Sequence, residues 1–313
     1  RTAKIIIADF GDERMRVFKQ GDNFKKYPWR GNANISEAFI RDYSFDEIRE
    51  FVMNMHASGR GENGIFSRVN AVLNAPERRK LHWEQELGIK ITKENAALIS
   101  LLLLLGTNPC GEIILRTFCN LSIAVAREGD TFETLAAKIR IATIIGTIQS
   151  AATYFPFLRP YWKEISEKER LLGVDIIGQA DIGFLPVEWQ SKLKQIVIDT
   201  NIEFAALLRI NPSNATTCVK PGGNSGAFLQ ASSGISKHKH KYWIRNIEVN
   251  IFTPIYKVLR HSKVPGFAKP GYEHNTWIFS IPQKAPDGAL IIEDDTLKDQ
   301  LEYWKQIKLN FVN

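Results

Sequence analysis

An α/β fold with largely parallel strand pairing is the class this sequence predicts, and three observations lead there. Short apolar runs of strand length alternate with longer amphipathic stretches of helical period. The breaks between them carry glycine, proline, aspartate and asparagine, the residues that turns require. Neither an internal repeat nor a low-complexity linker divides residues 1–313, so a single domain is the simplest partition, and a chain of that length can bury a substantial core.

Taken in order, residues 3–8 read as a buried strand bounded by Asp9, Gly11 and Asp12, with a short helix over 13–19. A chain that opens directly in such a run suggests an amino terminus that is not a natural domain start. Residues 35–40 are a second strand candidate. Ser44-Phe45-Asp46-Glu47 is a capping box, in which the hydroxyl bonds the backbone three residues on and Glu47 reaches back. It starts an amphipathic helix to about His56. The glycine-rich break at 59–64 reads as a plain loop, because no strand–loop–helix frame surrounds it. Helices are predicted at 68–73 and 77–86. A buried apolar run at 101–105 stops at Gly106, and extended pieces follow at 113–116 and 120–126. Gly129-Asp130-Thr131 signals a long, mostly apolar helix over 131–153, which Lys138 and Arg140 mark as a core helix and not a membrane one. Beyond it the pattern gives a charged helix over 159–172, a strand at 174–178, a helix at 189–208 and a strand at 215–219. The last elements are a strand at 242–250, a helix at 254–261, a strand at 277–281 and a helix at 296–309. Trp162, Trp189 and Trp304, at helical spacing among apolar residues, read as core.

The formal net charge is +7, much of it scattered, with one cluster at Lys237-His238-Lys239-His240-Lys241. That balance suits phosphorylated ligands, while no aromatic–basic repeat supports nucleic-acid binding. The cluster itself reads as a solvated basic face, and His238 and His240 have no carboxylate or cysteine near them in sequence to make a metal site. Three cysteines, Cys110, Cys119 and Cys218, are too few and odd in number for a secreted disulfide framework, which favours a reducing cytoplasm. No zinc spacing is present, and no apolar run is long enough to span a bilayer.

Two loops carry the candidate chemistry. In Gly106-Thr107-Asn108-Pro109-Cys110-Gly111-Glu112-Ile113 an amide, a thiol and a carboxylate stand at alternate positions. If the loop is extended, residues two apart project to one side, so Asn108, Cys110 and Glu112 would face one spot. In Lys220-Pro221-Gly222-Gly223-Asn224-Ser225-Gly226, small residues expose backbone N–H groups that can surround phosphate oxygens, and Lys220 adds charge. An ordinary glycine turn explains that loop equally well. Cys119 is open to two readings, redox partner of Cys110 or small core residue; Cys218, inside a predicted strand, reads as core.

Asn108-Pro109-Cys110-Gly111-Glu112-Ile113-Ile114-Leu115, followed by Cys119-Asn120-Leu121-Ser122, resembles the catalytic finger loop of ribonucleotide reductases, in the flavour of the adenosylcobalamin-dependent (class II) enzymes. Further segments look like family segments in family order. They are Pro28-Trp29-Arg30-Gly31-Asn32-Ala33-Asn34-Ile35-Ser36, Gly64-Ile65-Phe66-Ser67-Arg68, Glu169-Arg170-Leu171-Leu172-Gly173-Val174, Thr217-Cys218-Val219-Lys220-Pro221 and Phe279-Ser280-Ile281-Pro282-Gln283-Lys284-Ala285-Pro286. The resemblance implies a ten-stranded α/β barrel with the finger loop at its centre, and an enzyme reducing ribonucleoside di- or triphosphates. Cys110 would be the thiyl radical, generated by adenosylcobalamin. Glu112 would take the 3′-hydroxyl proton and Asn108 would hold the substrate hydroxyls. Lys220, Pro221, Gly222, Gly223, Asn224 and Ser225 would sit at the phosphates. Cys119 would be one half of the cysteine pair that reduces the ribose, reset by an external thioredoxin-like dithiol.

Departures from the pattern set further expectations. The first half of the cysteine pair belongs to a strand upstream of everything present, and neither remaining cysteine takes its place. The spacing from Cys110 to Cys119 is two residues shorter than the family's. The family's Pro-Ser-Gly-Thr stands here as Pro221-Gly222-Gly223-Asn224, and its Gly-Ile-His-Pro as Gly234-Ile235-Ser236-Lys237. A carboxy-terminal family segment lies beyond Asn313. About seven or eight strand candidates fall short of a closed barrel. The expectation is therefore a catalytic barrel domain that is either completed by another chain or a second copy, or is a shortened piece of the catalytic subunit. The alternative is a reductase-derived subunit that binds nucleotide or assembles without turnover.

Overall fold

The computed structural model describes residues 4–59 and 61–313; Ala3, in the first predicted strand, and Arg60, in the 59–64 loop, lie outside them. The elements in chain order are β1 (Lys4–Asp9), α1 (Glu13–Arg16), α2 (Asp22–Lys26), β2 (Ala33–Phe39), α3 (Phe45–Ala57) and β3 (Gly64–Ser67). Next come α4 (Arg68–Leu73), α5 (Glu77–Leu87), α6 (Ala96–Leu102), β4 (Gly106–Thr107), β5 (Ile114–Leu115) and β6 (Asn120–Val125). The second half holds α7 (Phe132–Ser150), α8 (Pro160–Glu169), β7 (Leu172–Ile177), α9 (Val187–Leu208) and α10 (Gly223–Leu229). It ends with β8 (Tyr242–Asn250), α11 (Pro254–His261), β9 (Gly266–Ala268), β10 (Thr276–Lys284) and α12 (Leu297–Asn310).

The strands pair in four sheets among the described residues, and no closed barrel forms. β1, β2 and β3 run parallel, with Ile6 opposite Ile35 and Ala38 opposite Phe66. β6 and β7 run parallel, with Leu121 opposite Gly173. The long β8–β10 pair and short β9 are antiparallel, as is the β4–β5 hairpin, so the predicted largely parallel pairing holds for only part of the molecule. The α/β class stands.

Two cores set the site between them. In one, Leu135, Ile139, Leu193, Val197, Ile307 and Phe311 from α7, α9 and α12 cover Leu172, Val174 and Ile176 of β7. β7 is buried at every position, as a strand covered on both faces must be. In the other, Val69, Val72, Trp83, Ile99, Leu103 and Leu105 join α4, α5 and α6 beneath the β4–β5 hairpin.

Several boundaries differ from the sequence reading. The run 101–105 is not uniformly buried: α6 ends in it, Leu104 takes a left-handed φ of 54°, and Leu101, Leu102 and Leu104 are exposed while Leu103 and Leu105 enter the core. The helix expected over 159–172 ends at Glu169, where Arg170 adopts a left-handed cap, and the chain turns directly into β7. Residues 215–219 do not form a regular strand. They still run beside β7, where Leu172 N–H donates to Ala215 O (3.0 Å), Val174 N–H to Thr216 O (2.9 Å) and Cys218 N–H to Val174 O (3.1 Å). The other edge of that run is taken by Asn313, whose side-chain oxygen accepts from Thr216 N–H at 2.7 Å. Trp304 is exposed, not core.

Candidate active site

The 106–113 loop is a hairpin tip and not an extended segment. Gly106 pairs with Leu115 and Thr107 with Ile114. Asn108 closes the turn: its backbone N–H donates to Ile113 O (3.2 Å), its carbonyl accepts from Gly111 N–H (2.9 Å), and its side-chain Oδ1 accepts from Ile113 N–H (3.0 Å). Gly111 sits at φ 80°, a conformation that strains any residue with a Cβ. Asn34 of β2 donates its side-chain amide to Pro109 O, and Arg79 of α5 donates to Ile114 O at 2.9 Å, so the tip is tied to both neighbouring elements. This turn undoes the expected alternation. Asn108 is engaged in the backbone, Cys110 is exposed at the tip, and Glu112 turns inward.

Glu112 reaches a cavity of about 660 Å³ lined also by Arg79, Thr107, Cys218, Lys220, Pro221, Trp304, Lys308 and Asn313. Both carboxylate oxygens of Glu112 are buried and have no hydrogen-bond partner. Cys110 and Asn108 do not line this space, nor do Gly222, Gly223, Asn224 and Ser225. Those four open α10 instead: Gly222 is its N-cap at φ 60°, where a Cβ would sit 3.0 Å from Ile177 and 3.2 Å from Gly234 N. The glycine stretch is thus a helix start packed on β7 and not a free loop. Its low helical propensity hid it in the sequence, and tertiary contacts override that propensity.

All three cysteines are free thiols. Cys119 precedes β6 and Cys218 lies in the run on the far side of β7, and their sulfurs converge over Gly173 between them. A methyl group at position 173 would lie 3.0 Å from Cys218 Sγ and 3.2 Å from Cys119 Sγ. Cys218, which the sequence places in the core, thus has its sulfur near that of Cys119. Burial pushes the Cys119 thiol up to about 12 and raises that of Cys218 well above the ordinary thiol value.

Asp175 was hidden in the apolar run Val174-Asp175-Ile176-Ile177, where a carboxylate was the available signal. It is fully buried with neither oxygen hydrogen-bonded, and burial pushes its carboxyl up from 3.8 to about 7 against the pull of the Lys220 and Ile176 backbone N–H groups and the Lys220 charge. The folded chain therefore holds a proton that the unfolded chain releases, and stability falls as pH rises from about 4 through about 7. Asp175→Asn is expected to gain about 2–3 kcal/mol more over the parent at pH 8 than at pH 5, read from urea unfolding at the two values.

Three of the five residues of the basic cluster are paired with carboxylates. Lys237 contacts Asp295, His238 Nε2 lies 2.6 Å from Asp181 Oδ1, and His240 Nδ1 lies 2.5 Å from Glu293 Oε1. The chain thus brings in carboxylates that the local sequence lacked, and the cluster is not merely solvated. Among the described residues no group of three His, Cys, Asp or Glu could hold a metal ion, and no helix is long and apolar enough to cross a membrane.

No protein-family model and no curated protein sequence matches this chain. Solved structures do. A crystal structure of a B12-dependent (class II) ribonucleotide reductase superposes over 99% of this chain with a TM-score of 0.74 at 18% identity. A class Id ribonucleotide reductase alpha subunit from Actinobacillus ureae aligns over 83% of this chain and 52% of its own, with a TM-score of 0.49 at 13% identity. The α/β fold is that of the class II enzyme. The chain spans 45% of that protein's length.

Proposed function

We propose that this chain is the central catalytic part of a ribonucleotide reductase, reducing ribonucleotides to deoxyribonucleotides through a thiyl radical on Cys110. The observation that carries this reading is the cavity into which the family-like turn sends Glu112, with Arg79, Lys220 and Lys308 around it. A volume near 660 Å³ is of nucleotide size, and Lys220 and Lys308 suit a di- or triphosphate, while Arg79 is held by Glu169. In this reading Cys110 removes the 3′ hydrogen. Glu112, whose oxygens are buried and unpartnered, takes the 3′-hydroxyl proton. The amide NH₂ of Asn108 holds the hydroxyls, since its oxygen is already used by Ile113. Lys220 and Pro221 border the phosphates, and Gly222, Gly223, Asn224 and Ser225 offer the N–H groups that open α10. Cys119 supplies reducing hydrogen and an external dithiol restores it.

No residue of the chain is assigned to a corrin. Adenosylcobalamin remains the radical source that the resemblance implies, and homolysis of its cobalt–carbon bond is the chemistry it supplies when bound. Residues 1–313 are read as one catalytic unit in the cytoplasm, whose sheets close into a ten-stranded barrel with strands from another chain, a second copy or further parts of the same catalytic subunit. Incubating the chain with adenosylcobalamin, a dithiol and ribonucleoside di- and triphosphates, with and without a fragment carrying an amino-terminal cysteine strand, is expected to yield deoxynucleotide by mass spectrometry. Nucleotide binding with no product under any combination would overturn the reading in favour of a non-catalytic subunit.

A further inference from the structure

We propose that Asp175 and the phosphate chain of a nucleotide compete for Lys220, so that the cavity takes its ligand together with a proton on Asp175. This rests on the cavity being the site of a ribonucleoside di- or triphosphate, as read above, and adds a group that regulates binding there. The placement comes from β7, whose side chains alternate between two faces. Val174 and Ile176 enter the core covered by α7, α9 and α12. Gly173, Asp175 and Ile177 therefore turn to the opposite face. A Cβ at Gly173 would lie 3.0 Å from Cys218 Sγ, and one at Gly222 would lie 3.0 Å from Ile177 Cγ2. Asp175 thus stands between the Cys218 thiol and the turn that opens α10. The run 215–219 lies alongside in parallel, with Val174 opposite Thr217. In that register Cys218 falls beside Asp175, Lys220 follows two residues on along the same face, and both line the cavity.

Two carboxyls and one cation meet there without partners. Asp175 is fully buried, Glu112 arrives from the hairpin, and all four of their oxygens are buried with no hydrogen-bond partner. Arg79 is held by Glu169, whereas Lys220 is in no ion pair among the described residues. Burial holds the Asp175 carboxyl up at about 7, where the Lys220 charge pulls it down and the Glu112 charge pushes it up. The Cys119 and Cys218 thiols nearby stay protonated through that range, since burial raises both. A phosphate chain on Lys220 cancels the cation's pull and brings further negative charge, so Asp175 holds its proton more tightly in the complex than in the empty cavity. The sign follows from linkage. Below about pH 7 Asp175 is neutral in both states, and affinity does not depend on it. Above about pH 7 the empty cavity has released a proton that the complex takes back from solvent, and affinity falls as pH rises.

The test uses the full chain with inorganic triphosphate as the probe, and titration calorimetry in two buffers of different ionisation heat reads affinity and proton uptake together. The affinity of the parent relative to that of Asp175→Asn is expected to fall ~10-fold between pH 6 and pH 8.5. Protonation of the probe is common to both proteins and cancels in that ratio. At pH 7.5 the parent is expected to take up protons on binding that Asp175→Asn does not. The same fall is expected in a Glu112→Gln background, which assigns it to Asp175. In a Lys220→Met background it is expected to shrink to under about 2-fold, because the shared partner is gone. A ratio that does not change with pH, or a fall that survives Lys220→Met in full, overturns the competition while leaving the nucleotide reading intact. A parent that binds neither triphosphate nor ribonucleotides at any of these pH values overturns the nucleotide reading and the competition with it.

Discussion

Serine at position 110 is expected to abolish deoxynucleotide formation, by ~10³-fold or more, while leaving thermal unfolding within about 0.5 kcal/mol of the parent. The two halves of that expectation come from different facts. Cys110 is exposed at the hairpin tip, and the bonds that hold the turn belong to Asn108, Gly111, Ile113 and the flanking strands, so the fold does not depend on the sulfur. The chemistry does. An O–H bond is much stronger than an S–H bond, so a serine oxygen cannot carry the radical. Activity assay and circular-dichroism melts on the same preparation check both halves. A Cys110→Ser variant that still turns over would remove the thiyl from the mechanism, and one that unfolds would show the hairpin tip to be structural.

The exposure of Cys110 also bears on how the site is completed. A radical at an uncovered tip would react with solvent species, so the reading needs the tip to be covered during turnover. The outer edges of the β1–β2–β3 sheet and the β6 edge of the β6–β7 sheet, which pair with no further strand among the described residues, offer backbone groups for further strands to bond.

Elements whose signals are local were legible in the sequence. The Ser44–Glu47 capping box and the bounds of α4 and α11 follow from spacing and cap residues, and they appear where the pattern put them. What was not legible depends on contacts far apart in the chain. α10 forms from a glycine-rich stretch because the returning chain packs on it so closely that a Cβ at Gly226 would lie 2.8 Å from Ala231 O. The pairing of His238 with Asp181 spans more than fifty residues and leaves no mark on either neighbourhood. Cys218 reads as core and is buried, but its strand position does not tell which sulfur lies across the sheet. The site followed the same rule: residue types came from the motif, and their orientation came from the turn that Asn108 makes.

Removing the Glu169 carboxylate is expected to cost about 3–5 kcal/mol, the largest stability loss among these predictions, because it strands a buried charge. Glu169 closes α8 at 1% exposure, where Arg79 donates to it at 2.9 Å and Trp83 Nε1 at 2.8 Å, and Arg116 lies 3.9 Å away. In Glu169→Ala the Arg79 guanidinium stays buried without its partner, and the Trp83 N–H loses its acceptor. Urea unfolding measures the loss. A change under 1 kcal/mol would mean that water or rotation of Arg79 relieves the charge. Arg79 also holds Ile114 O and lines the cavity, so charge burial and hairpin positioning are entangled in the single variant. The double replacement Arg79→Met with Glu169→Leu separates them. Apolar side chains of similar size remove the buried charges together, and stability is expected to return to within about 1–2 kcal/mol of the parent. Deoxynucleotide formation is not expected to return with it, because Ile114 O has lost the donor that fixes the hairpin and the cavity has lost a cation. Recovery of both would reduce Arg79 to a structural ion-pair partner.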